Sequence, residues 1–176
     1  MKTLYVALMM LTSAVQQPLF NFLKTSDISS WYVVNDGVMG GLSRGSFTLT
    51  SEGHGCFKGA VSLDNNGGFT SIRYRFSPVQ VSSNAKIKLR LKGDGKAYQF
   101  RIKDNSRQYY SYIITFKTNG NWQDIEIPLS QMVPSFRGRT LNLPNFSEDQ
   151  IEEIVFLIAN KKEERFELLL NSIELH

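Results

Sequence analysis

Hydrophobic and polar residues alternate with a period of two through most of the chain, which is typical of strands that bury one face. In Lys86–Lys92 every second residue is apolar and every residue between is basic. Shorter runs of the same kind occur at 70–76, 98–103 and 124–129, where Pro128 predicts an edge or the end of a strand. Denser apolar runs predict central strands at 113–116, 154–158 and 166–170.

Turn-forming dipeptides and tripeptides separate these runs at short intervals, for example Asp36-Gly37 and Asn119-Gly120-Asn121. One helix is predicted, opening at Ser147, because Ser147 and Gln150 have the spacing of a capping box. About nine antiparallel strands with short connections predict an all-β fold, a jelly-roll β-sandwich. No linker divides the chain after residue 17, so residues 18–176 are predicted to be one domain.

Residues 1–17 have a different pattern. Lys2 is the only charged residue, residues 4–11 are apolar, and the small residues Thr12-Ser13-Ala14 follow. This order predicts a signal peptide and an exported protein, periplasmic or extracellular. The alternative is a first strand or helix that packs on the domain of a cytoplasmic protein. No apolar run has the ~20 residues needed to span a bilayer, so we expect no transmembrane segment in the mature chain.

Charge is unevenly distributed although the chain carries a net +4. Residues 73–107 contain ten basic and two acidic residues, and residues 124–176 contain five basic and ten acidic ones. If the basic strands are neighbours in one sheet, their polar sides form one positive face for an acidic protein, polyanion or lipid headgroup. The alternative is that these charges only keep an outer sheet face soluble.

Residues with catalytic or metal-binding chemistry are few. His54 is the only internal histidine and no nucleophile motif accompanies it, while Cys56 is the only cysteine. Asp64-Asn65-Asn66 offers oxygen ligands for Ca²⁺, but the same residues are common in turns without metal. We therefore expect no catalytic residues, no metal site, no cofactor and no enzymatic activity. Nucleic acid is not an expected partner, because rings and arginines fall on opposite faces of their strands.

One longer pattern resembles a known family. Trp31–Ser43 reads WYVVNDGVMGGLS, and further matches follow at Asn66–Phe69, Lys92–Lys96 with Tyr98, Trp122, Ile127-Pro128 and Pro134–Arg139. Together they resemble the CIA30 family, the complex I intermediate-associated protein 30 domain, over about residues 19–175. The resemblance implies a galactose-binding-domain-like jelly roll, similar to certain carbohydrate-binding modules. It also implies an assembly-factor or chaperone function like that of mitochondrial members, which bind intermediates of respiratory complex I without catalysis.

The resemblance therefore predicts a non-catalytic binding module for a protein partner or assembly intermediate. A signal peptide would argue against the complex I role for this copy, since an exported chain is separated from subunits assembling on the cytoplasmic side. The alternative is a carbohydrate-binding module of an exported protein, which needs exposed rings. Its candidates are the four tyrosines 98, 109, 110 and 112.

Candidate binding residues follow from the matched motifs and the basic strands. Loop charges beside glycines are often displayed to a partner, although they also serve structure. The predicted binding set is Asn35, Asp36, Met39, Lys92, Asp94, Arg101, Arg137 and Arg139. Gly37, Gly40 and Gly41 are interpreted as structural, and Trp31 and Trp122 as packing residues.

Overall fold

The computed structural model describes residues 17–37 and 40–176, which form two antiparallel β-sheets packed face to face. The described residues contain thirteen strands. They are β1 (Gln17–Asn21), β2 (Trp31–Asn35), β3 (Arg44–Leu49), β4 (Gly55–Val61), β5 (Thr70–Gln80), β6 (Lys86–Gly93), β7 (Ala97–Lys103), β8 (Ser111–Lys117), β9 (Trp122–Pro128), β10 (Val133–Phe136), β11 (Arg139–Thr140), β12 (Gln150–Ile158) and β13 (Glu164–Leu175). Short 3₁₀ turns lie at Asp64–Asn66 and Leu129–Gln131.

The strand order shows that neighbours in space are mostly distant in sequence. Sheet 1 has the order β3-β4-β13-β6-β9, with β1 also paired to β13. Sheet 2 has the order β11-β10-β8-β7-β12-β5-β2. Crossing back and forth between two sheets in this way is the jelly-roll β-sandwich, so the predicted fold class is confirmed.

The core lies between the sheets and follows the period-two pattern. Ile87, Leu89 and Leu91 of β6 are fully buried, and they face the interior together with Phe100 of β7 and Phe156 of β12. Burying one such side chain stabilises the fold by about 1.5–3 kcal/mol relative to leaving it exposed. The alternating residues of β6 and β7 point outward, which places their basic side chains on the outer faces.

Most strand predictions are confirmed. The three dense apolar runs belong to β8, β12 and β13, each of which has a neighbour on both sides. Strand β9 is at the edge of sheet 1 and ends at Pro128.

The predicted helix at Ser147 is wrong. Gln150 already pairs with Gln80 of β5, and its side chain donates to the carbonyl of Asp104. The Glu148 carboxylate accepts a hydrogen bond from the hydroxyl of Tyr112 at 3.2 Å. These long-range contacts extend the chain into β12, so tertiary pairing overrides the local capping pattern.

The basic strands are not neighbours in one sheet. Strand β6 lies in sheet 1, where Arg90 pairs with Asp124 and Lys86 with Glu126 of β9. Strands β5 and β7 lie in sheet 2, on either side of β12. The single positive face expected for all three strands is therefore not formed, and the basic residues of β5 and β7 form a separate surface.

Two predictions fall outside the described residues. The predicted signal peptide covers residues 1–16, which are not described, and Gln17, which begins β1. Met39 of the predicted binding set is also not described. Among the described residues, no helix is long and apolar enough to cross a membrane.

Candidate functional site

A cleft of about 620 Å³ crosses the outer face of sheet 2. Leu157 of β12 lies in its floor, and Val155 is two residues before it on the same face of the strand; both are buried but lie outside the core cluster between the sheets. Val155 is paired with Arg101 of β7 on one side and with Arg73 of β5 on the other. Strand register therefore places these two guanidinium groups on the same face, flanking the floor of the cleft.

The cleft is cationic. Its lining contains five basic residues and no acidic one, namely Arg73, Arg101, Lys103, Arg137 and Lys161. Arg101 donates from Nη2 and Nε to Oε1 of Gln99, at 2.6 and 3.0 Å. Burial, together with the nearby charge of Arg73, lowers the pKa of Arg101 to about 10. Arg101 remains protonated at neutral pH, so the cleft holds a desolvated positive charge.

One buried acid on the same face of β12 partly balances these charges. The Glu153 carboxylate is inaccessible to solvent and accepts hydrogen bonds from Arg73 at 3.1 Å, from Arg75, and from the hydroxyl of Tyr32 at 3.3 Å. Burial lowers the pKa of Lys103, whose ammonium group donates to the carbonyl of Gln108. The single carboxylate of Glu153 thus pairs with both Arg73 and Arg75, and the cleft keeps a net positive charge.

Aromatic residues and a tight turn form one wall. Tyr109 is 63% exposed and packs edge-on against Phe136, with ring centres 5.2 Å apart. The guanidinium of Arg137 lies over the Phe136 ring at 5.2 Å. Arg137 has a φ of +48° and Gly138 a φ of +77°, because the chain reverses here between β10 and β11. The turn places a cation and an aromatic edge beside the exposed tyrosine.

The opposite rim consists of residues 67–69, and Asp36 holds it in place. The Asp36 carboxylate accepts hydrogen bonds from the backbone N–H groups of Gly68 at 2.7 Å, Phe69 at 3.3 Å and Ser43 at 3.1 Å. Burial raises the pKa of Asp36, but these hydrogen bonds outweigh it and bring the pKa below its usual value. A Cβ at Gly41 would lie 2.4 Å from the carboxylate carbon, so only glycine fits there.

Asn35 and Asp94, two other predicted binding residues, are also bonded within the fold. Oδ1 of Asn35 accepts from the Gly45 N–H at 3.0 Å and from the Thr70 hydroxyl at 2.6 Å. The Asp94 carboxylate accepts from Lys96 at 2.7 Å, from the Tyr98 hydroxyl at 2.9 Å and from the Glu167 N–H at 3.0 Å. These geometries give the two residues structural contacts, and their contact with a ligand stays a prediction.

The structure brings together only part of the predicted set. Arg101 and Arg137 line the cleft, and Asp36 supports its rim. Lys92 lies on β6 in sheet 1, and Arg139 is exposed on the edge strand β11. The cleft also contains residues that were not in the set: Arg73, Lys103, Tyr109 and Lys161. The charge excess of residues 73–107 includes the first two of these, whereas no pattern indicated Lys161.

The four tyrosines considered for sugar binding do not form a common platform. Tyr98 and Tyr112 are buried, with 1% and 3% of their surface exposed, and Tyr110 is half-buried. Tyr109 alone among these four lines the cleft.

The isolated histidine, cysteine and Asp64 have ordinary structural surroundings. The His54 ring packs against Trp122 with centres 4.6 Å apart. Cys56 is buried, and burial raises the pKa of its thiol. Asp64 accepts a hydrogen bond from the hydroxyl of Ser62. Within residues 17–37 and 40–176, no three His, Cys, Asp or Glu side chains cluster as metal ligands would.

The fold and the cleft define a jelly-roll module with one cationic, aromatic-rimmed surface. Similar solved structures share this architecture. A family 11 carbohydrate-binding module from Clostridium thermocellum, solved with a β-1,3-1,4-mixed-linked tetrasaccharide, has a TM-score of 0.67 at 19% identity, covering 93% of this chain and 96% of that one. A domain within an agarase has a TM-score of 0.58 at 17% identity, over 92% of this chain and 24% of that enzyme. At these identities the likeness establishes the fold.

The sequence comparison gives the family. The profile of complex I intermediate-associated protein 30 (CIA30) matches residues 20–170, and the chain belongs to this family. The resemblance stated from the sequence motifs is thereby confirmed. The mitochondrial complex I intermediate-associated protein 30 of Mus musculus is 24% identical over 182 residues. That alignment covers 88% of this chain and 54% of the mouse protein, so the chain spans about half of that relative's length.

Proposed function

We propose that this chain is a non-catalytic binding module that holds a segment of a partner protein in the cleft of sheet 2. The observation that carries the proposal is the desolvated charge of Arg101, which is held in the cleft without an acidic neighbour lining it. Gln99 accepts hydrogen bonds from Arg101 but carries no charge. Burying a charge without a counter-charge is unfavourable, and such groups are found where a ligand completes the interaction.

A protein partner is supported by the family and by the lining. The mouse relative is named for its association with complex I intermediates. The cleft combines cations with apolar residues such as Phe69 and Leu157, a mixture that suits side chains of both kinds on an extended segment. Arginine and tyrosine are also the residues that most often dominate protein–protein binding energy.

The proposal can be tested by photocrosslinking in the organism that encodes the chain. A photoreactive phenylalanine analogue replaces Tyr109 in one variant and Leu23 in a control variant. Both positions are exposed, at 63% and 62%, but Leu23 is not a cleft residue. We expect the Tyr109 variant to crosslink reproducibly to one protein, and mass spectrometry to locate the crosslink in one segment of it.

The Leu23 control shows which results would contradict the proposal. Equal crosslinking of the same protein from Leu23, or no protein crosslink from Tyr109 while the purified chain binds oligosaccharides, would contradict a protein-binding cleft.

A carbohydrate ligand is the second candidate, and Tyr109 is the observation that favours it. An exposed ring at the edge of a cleft is a surface on which a sugar ring stacks. We propose that this function would accompany export of the chain. Calorimetric titration with a β-1,3-1,4-mixed-linked tetrasaccharide tests it: binding that is lost in Tyr109→Ala supports a sugar site, and no heat at millimolar ligand contradicts it for this glucan.

A further inference from the structure

We infer that Arg101 is the centre of a carboxylate-recognition site, so that the segment held in the cleft is acidic. This inference rests on the proposed function and names the chemistry of its ligand. In this site Arg101 makes the central contact with the carboxylate, and Arg73 and Lys103 add positive charge around it.

Arg101 has unused hydrogen-bonding capacity. A guanidinium group has five N–H donors in a planar fork that matches the two oxygens of a carboxylate. The Gln99 side chain accepts from Nε and from one N–H of Nη2, which leaves the second N–H of Nη2 and both N–H groups of Nη1 for a ligand. Within the described part of the chain, no carboxylate lies within 4 Å of this guanidinium, whereas Arg73 and Arg75 both pair with Glu153.

The neighbouring cations strengthen the site. Arg73 and Arg101 flank Val155 across two strand spacings, so their Cα atoms lie about 10 Å apart. Lys103 follows Arg101 by two residues on the same face, about 7 Å along the strand. The Nε–H of Arg73 is buried and has no acceptor among the described residues. Positive charge is therefore concentrated on this part of the floor.

The remainder of the cleft favours a peptide. Leu157 of β12 and Ala159, which follows the strand, continue the floor, and Leu63 and Phe69 lie at that end. An extended segment with an acidic residue followed by apolar ones matches a cationic region that adjoins an apolar one. A glycan needs several exposed rings, and Tyr109 is 63% exposed while Phe136 is covered in part by Arg137.

The test compares charged and neutral probes. A fluorescent octapeptide of alternating Glu and Ala is titrated against the chain at low salt, together with its Gln–Ala counterpart, tetragalacturonate and the neutral mixed-linked tetrasaccharide. The variants are Arg101→Gln and the matched control Arg90→Gln, whose arginine is exposed on sheet 1 and pairs with Asp124. Circular dichroism and thermal unfolding confirm that both variants are folded.

We expect the Glu–Ala peptide to bind at least tenfold more tightly than the Gln–Ala peptide. Arg101→Gln should weaken Glu–Ala binding about tenfold, or about 1.4 kcal/mol, because it removes a charged hydrogen-bond donor to the carboxylate. Arg90→Gln should weaken it less than twofold. Equal weakening by both variants, or tighter binding of the neutral tetrasaccharide than of the Glu–Ala peptide, would overturn the inference. Tighter binding of tetragalacturonate than of the peptide would overturn the acidic protein segment and assign the carboxylate to a saccharide. A protein crosslink from Tyr109 combined with equal weakening by both variants would leave the protein-binding function standing and remove only the carboxylate site.

Discussion

Replacing Asp36 tests whether the acid of the family motif is a structural element of the cleft. Its carboxylate accepts three backbone N–H groups, from Ser43, Gly68 and Phe69, and so connects the end of β2 to the rim of the cleft. In Asp36→Ala all three donors lose their acceptor. In Asp36→Asn an oxygen in the place of Oδ2 keeps two bonds, but the amide NH₂ then faces the N–H of Ser43.

The expected cost follows from the number of donors left unpaired. An unsatisfied buried donor costs about 1–3 kcal/mol, and partial access of water to this rim favours the lower half of the range. We expect Asp36→Ala to lower the free energy of unfolding by about 3–5 kcal/mol and Asp36→Asn by about 2 kcal/mol. For a domain of this size 1 kcal/mol corresponds to about 2–4 °C in Tm, so the alanine variant should melt roughly 10 °C lower.

Urea and thermal unfolding followed by circular dichroism measure these changes. Asp64→Asn is the matched control, because Asp64 lies in the turn just before this rim and is exposed, with its carboxylate bonded to the Ser62 hydroxyl. We expect the control to change stability by less than about 1 kcal/mol. If Asp36→Ala melts within about 2 °C of the wild type, the carboxylate does not hold the rim and our reading of the motif is wrong.

Three further predictions concern the same framework. Glu153→Gln removes the buried counter-charge of Arg73, and we expect a loss of about 3–5 kcal/mol in urea unfolding; an unchanged midpoint would contradict this. Gly41→Ala places a methyl group 2.4 Å from the Asp36 carboxylate carbon, whereas a methyl group at Gly37 meets nothing within 4 Å; Gly41→Ala should therefore destabilise more than Gly37→Ala does, by the same assay. The pKa values of Asp36 and Asp94 are lowered in the folded state, so stability should fall as pH decreases below 3.8; a wild-type stability that stays constant down to pH 2 would refute it.

The fold could be predicted from the sequence because the alternation of buried and exposed residues along a strand is a local signal. The alternation in Lys86–Lys92 corresponds to β6, in which the three aliphatic residues are fully buried. The predicted helix at Ser147 is wrong because a capping pattern is also a local signal, whereas Gln150 belongs to β12 through its pairing with β5, which is distant in sequence. Pairing between strands distant in sequence carries no comparable local pattern.

Only part of the cleft could be predicted from the sequence, for the same reason. A charge-rich strand and a family motif indicate Arg101 and Arg137, but strand order alone decides that both reach one surface. Strand order also separates Lys92, in sheet 1, from Arg101, although both belong to the same basic segment of sequence. For Asp36 the sequence leaves a binding role and a structural role equally open, and its three backbone partners come from loops whose meeting no spacing indicates.

Hydrogen–deuterium exchange of the chain, alone and bound to the protein identified by crosslinking, locates the partner on the fold. If the partner occupies the cleft of sheet 2, exchange slows in residues 67–69, 109–111 and 135–138, and sheet 1 is unchanged. Protection confined to the outer face of sheet 1, around β6 and β9, would show that the partner binds there and not in the cleft.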